Sequence, residues 1–101
     1  MQKDFGITLL QIDGKPFKDN ATMRTVCVNA LLNEYTGETI DGATKLKRFK
    51  LAERISEEPA EDADPVLVDL KAEEVALVKD LVAKCYGPLV VGRVYEFLEG
   101  A

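Results

Sequence analysis

Lys45, Lys47, Arg48, Lys50 and Arg54 place five cations within ten positions of the chain, with Phe49 among them. Lys47, Lys50 and Arg54 recur at three- and four-residue spacing, which gathers them on one face of a helix. Such a patch has two uses. It can contact phosphates or an acidic partner, with Phe49 as a stacking ring, or it can be the solvated face of an amphipathic helix. Phe49 shares helical spacing with Leu46 and Ala52, so the pattern predicts a core position for the ring and water for the cations. An acidic run follows immediately and would screen or pair with the patch.

Catalytic chemistry finds little to work with. The chain has no histidine, and so lacks the commonest general base and zinc ligand. Cys27 and Cys85 have no histidine to activate a thiolate, and Ser56, the only serine, precedes the acidic run with no base near it in sequence. Gly37 and Gly42 are not followed by Lys-Ser or Lys-Thr, so there is no phosphate-binding loop. The 18 carboxylates could include a hydrolytic pair, but no tryptophan is present to stack on a sugar. No enzyme activity, cofactor or metal site is expected.

Two further stretches could carry function. Residues 57–65 hold five acids and two prolines and no large apolar side chain. They read as an exposed acidic loop, a solvated connector in preference to a docking tail. The last helical stretch, Leu89 to Leu98, is apolar around much of its circumference. One apolar stripe would need fewer such residues. Val91, Val94, Tyr95 and Leu98 are therefore the candidate partner surface, with Tyr95 as anchor and a two-fold homodimer through this helix as the specific expectation.

These segments must be held by an α+β domain. Phe5 to Ile12 is strand-like, and Asp13-Gly14 is a tight-turn dipeptide. With Lys15 to Lys18 they predict a hairpin over 5–18, its second arm shortened because Pro16 has no N–H. A helix follows from about Met23, with Met23, Val26, Cys27, Ala30 and Leu31 on its inner stripe and Gly37 as a stop. Asp41 caps a second helix running to about Ser56, its core stripe Leu46, Phe49, Ala52 and Ile55, with Leu51 beside Ile55. Val66 to Leu70 reads as a short strand whose partner is the hairpin. Lys71 opens a third helix with Val75, Val78, Leu81, Val82 and Cys85 inward, Gly87 ends it, and Pro88 begins a fourth. The expectation is one domain over 1–101, a small antiparallel sheet packed with about four helices.

Net charge is −5, a field that repels phosphate backbones and makes nucleic acid an unlikely partner. No apolar run is long enough for a membrane helix, and no signal peptide is visible, so a cytoplasmic chain with no membrane partner is expected. Both cysteines lie in helical stretches among aliphatic residues and read as reduced, buried side chains.

The chain resembles a family of small bacteriophage and prophage proteins. The resemblance rests on the Asp-Gly turn, on Val26 to Leu32, on Lys45 to Ala52, on Ala72 to Lys79 and on Tyr86 to Gly92. In that family a serine or threonine usually caps the third helix, where this chain has Lys71 and so a weaker cap. The resemblance implies a phage setting and no particular activity. The reading is a non-enzymatic accessory protein that acts by protein–protein binding, in virion or tail assembly or in modulation of a host factor. The alternative is a nucleic-acid-binding protein using the basic helix around residues 45–54.

Overall fold

A computed structural model describes residues 2–60 and 63–100. The order of elements is β1 (Gln2–Asp4), α1 (Met23–Leu32), α2 (Gly42–Ser56), β2 (Leu67–Asp69), α3 (Ala72–Cys85) and α4 (Pro88–Glu99). The α+β class is as expected, but the sheet is built differently. β1 pairs antiparallel with β2, with Lys3 opposite Val68. The sequence instead placed the first strand in 5–12 and paired the second with the hairpin.

The difference has a local cause. Gly14 does sit in a turn at positive φ, 84°, and the Gln11 N–H reaches the Lys15 carbonyl at 2.8 Å. Pairing beyond it stops at a single bridge, Leu10 with Pro16, because the proline has no N–H to continue the ladder. The extended backbone ahead of the turn serves α1 instead. The carbonyls of Ile7 and Phe5 accept the N–H groups of Met23 and Arg24 at 2.9 and 2.7 Å, two donors that a helix N-terminus leaves free. The Thr22 hydroxyl accepts a third, from Thr25.

In α1 the inner stripe is the expected one: Met23, Val26, Cys27, Ala30 and Leu31 are all buried. The helix ends at Leu32, before the predicted glycine stop, and Gly37 takes positive φ in the following turn. The Tyr35 hydroxyl donates toward the Leu81 carbonyl at 3.2 Å and also to the Ala30 carbonyl, so it ties the end of α1 to α3. Burial pushes that phenol up to about 12.

Asp41 caps α2 through a 2.8 Å bond from the Thr44 N–H. Its buried face is Arg48, Leu51, Ala52 and Ile55. Leu46 and Phe49, expected inside, are each 50% exposed. α3 buries Val78, Leu81 and Val82, with Val75 half-buried at its edge. Lys71 gives α3 no side-chain cap, and the Glu74 carboxylate compensates by accepting the Lys71 N–H at 2.8 Å. Pro88 opens α4 as expected.

Both cysteines are free. Cys27 is buried, and desolvation pushes its thiol up to about 12. Cys85 is only half-buried, which corrects the expectation of two buried thiols; the Asn33 amide approaches its sulfur at 3.8 Å. Of the acidic stretch 57–65, the described residues are exposed, while Glu61 and Asp62 lie outside them. Among the described residues no helix is long and apolar enough to cross a membrane.

Candidate functional site

Two of the four C-terminal-helix residues expected to form a partner surface lie in the core. Val94 and Leu98 are fully buried and belong to the core. Val91 and Tyr95 are half-buried. The apolar surplus of α4 is used internally. Phe97 meets the buried Phe5 ring edge-to-face, centroids 5.1 Å apart, and the Lys79 ammonium lies 4.8 Å from the centre of the Tyr95 ring. Arg93 ties the same helix to the turn through the carbonyls of Leu10 and Gln11 at 3.0 and 2.8 Å.

The basic cluster is divided. Arg48 is buried, and its two terminal nitrogens hold the Glu38 carboxylate at 2.7 and 3.0 Å. Arg54 reaches Glu74 at 2.7 Å and also the Asp69 carbonyl. Lys45, Lys47 and Lys50 are exposed and make no ion pair among the described residues. The patch is thus three lysines on α2, with two arginines committed to the fold.

Part of the exposed apolar surface lies where the sequence put core, while Ile7, Ile12 and Leu67 are exposed elsewhere. Leu46 and Phe49, three residues apart on α2, face the same way. Phe49 lines a cleft of about 370 Å³ with Leu32, Tyr35, Ile40, Lys45 and Arg48. Leu32 is itself 54% exposed. The Arg48 Nε–H is buried without an acceptor among the described residues. On the other side of α2, Lys47, Lys50 and Arg54 line a second cleft of about 510 Å³ with Lys71, Glu73 and Glu74. Leu46 and Phe49 therefore form a ridge with unpaired lysines on both flanks. Sequence reasoning missed it because Leu46 and Phe49 share helical spacing with Ala52 and Ile55; the expected Leu51, Ala52 and Ile55 are buried, but the inner face turns through Arg48 and leaves Leu46 and Phe49 outside.

The Glu38–Arg48 pair holds the loop after α1 against α2. The Arg48 guanidinium lowers the Glu38 carboxyl below its ordinary 4.5. A lowered carboxylate contributes stability that is present above the ordinary value and is lost as pH falls through the lowered one. Urea midpoints should therefore drop as pH falls below about 4.5. Glu38→Gln should lose stability at neutral pH, where Arg48 is left buried without its counter-charge. It should also flatten that part of the acid limb. A variant whose midpoints parallel the wild type at every pH would show that the pair does not hold the loop.

Among the described residues no three histidine, cysteine, aspartate or glutamate side chains converge where a metal ion could be held. Comparison with protein-family models, with curated proteins and with solved structures returns no match.

Proposed function

We propose that the chain is a non-enzymatic, phage-type accessory protein that acts by binding another protein in the host cytoplasm. Virion or tail assembly and modulation of a host factor are the two settings for that role. The observation that carries the binding role is the Leu46–Phe49 ridge beside the α1–α2 cleft and the exposed Leu32, adjoining apolar side chains left half in water; Ile7, Ile12 and Leu67 are exposed elsewhere. The phage setting draws on the sequence resemblance alone. Of the four residues expected to carry a homodimer through α4, only Val91 and Tyr95 are half-exposed, so the ridge replaces it as the leading surface.

A photoreactive residue in place of Phe49, expressed in infected or lysogenic cells, tests this. A discrete protein adduct that survives nuclease and is absent with the same probe at Tyr95 is the expected result. Adducts only from position 95, or adducts lost to nuclease, would overturn it. The nucleic-acid reading has one favouring observation, the meeting of Lys47, Lys50 and Arg54 with Lys71 along the α2–α3 cleft. Against it stand Glu73 and Glu74 in the same cleft and the net charge of −5.

A further inference from the structure

We propose that the occupant of this surface is an acidic, apolar segment of another protein, its apolar side chains on the Leu46–Phe49 ridge and its carboxylates against Lys45 on one flank and Lys47 and Lys50 on the other. This rests on the protein-binding reading above and names the chemistry of the partner.

The argument starts from helix geometry. With Arg48, Leu51, Ala52 and Ile55 buried, a 3.6-residue period puts Leu46 on the opposite side of α2, and Phe49 leans toward α1. The ridge thus lies on the outward face, with lysines on both flanks. The chain carries 18 acids against 13 bases; Arg48 pairs with Glu38, Arg54 with Glu74, Lys79 with Glu99 and Lys84 with Asp80, while Lys15, Lys18 and Lys71 are exposed and make no ion pair among the described residues. The lysines beside the ridge make no such pair, although Glu73 and Glu74 share the far cleft with Lys47 and Lys50 and Asp41 feels the charge of Lys47. The one carboxylate on the same helix face is Glu53, seven residues beyond Leu46.

A second copy is a poor occupant. A two-fold interface would set this patch against itself, lysines against lysines, and like charges at a desolvated contact cost affinity. An acidic partner answers the unpaired charges and the apolar ridge together. The cleft beside Phe49, whose lining includes the Glu38–Arg48 pair and Glu34, also holds the Arg48 Nε–H, which lacks an acceptor that an oxygen seated there would supply.

The test is a displayed library of random short peptides selected against the folded chain. Enriched peptides should combine leucine or aromatic residues with aspartate or glutamate. Their affinity should fall with added salt, and by about tenfold or more when Lys47 and Lys50 become glutamate. Lys47→Arg with Lys50→Arg should retain it. Phe49→Ser should weaken the same peptides by a similar factor, with the thermal unfolding of each variant checked. Neutral or basic peptides that still require Phe49 would overturn the acidic assignment and leave the docking surface standing. Peptides indifferent to Phe49→Ser would overturn the surface itself. Duplex DNA that displaces the acidic peptides at physiological salt would assign the lysines to phosphate and overturn the proposal.

Discussion

Phe5→Ala should lower the unfolding free energy by about 3–5 kcal/mol, a large share of the roughly 5–15 kcal/mol that holds a small domain together. Phe5 has no exposed area, and its ring meets Phe97 of α4 at 74°. Its carbonyl accepts the Arg24 N–H at the start of α1. One residue therefore joins the end of β1, the first turn of α1 and the last helix. Truncating it leaves a cavity bounded by elements far apart in sequence, which have little freedom to close over it. Urea unfolding should show a lower midpoint with an unchanged slope. A loss below about 1 kcal/mol would mean the N-terminal segment is not anchored through this ring.

The second large effect is a contrast between two truncations. Leu98→Ala should cost about 2–5 kcal/mol, as a fully buried leucine does. Phe49→Ser, although it removes a larger side chain, should cost about 1 kcal/mol or less, because half of that ring is already in water. Sequence spacing predicts the reverse order, with Phe49 in the core and Leu98 on a partner surface. Equal losses in the same urea series would remove the basis for treating α2 as the binding face.

The inner stripe of α1 was legible because its apolar residues recur on one face only. α2 was legible in part: Leu51, Ala52 and Ile55 are buried as expected, but Leu46 and Phe49 satisfy the same helical spacing and are half exposed. Arg48 is paired with Glu38 on the inner face beside Leu51, Ala52 and Ile55, and the lysine-flanked stripe faces out. A pairing with a carboxylate ten residues away leaves no mark on local periodicity. Nor does β1, whose Gln2, Lys3 and Asp4 have no strand propensity of their own and become a strand through β2. The three free lysines of the site were legible by type and spacing. Their apolar companions were visible too but assigned to the interior.

One contact bears on chain order. The Lys3 ammonium reaches the Gly100 carbonyl at 2.5 Å, so the first strand and the end of α4 lie within one side chain's reach. A short flexible linker could bridge these two points, and the exposed residues after α2 offer a place to open the chain elsewhere. A circular permutant beginning just before β2 would run β2, α3, α4, β1, α1, α2. It would keep the same core, and its new end would leave from beside the lysine-flanked ridge, so a fused reporter or affinity tag could be set directly next to the surface where a partner docks.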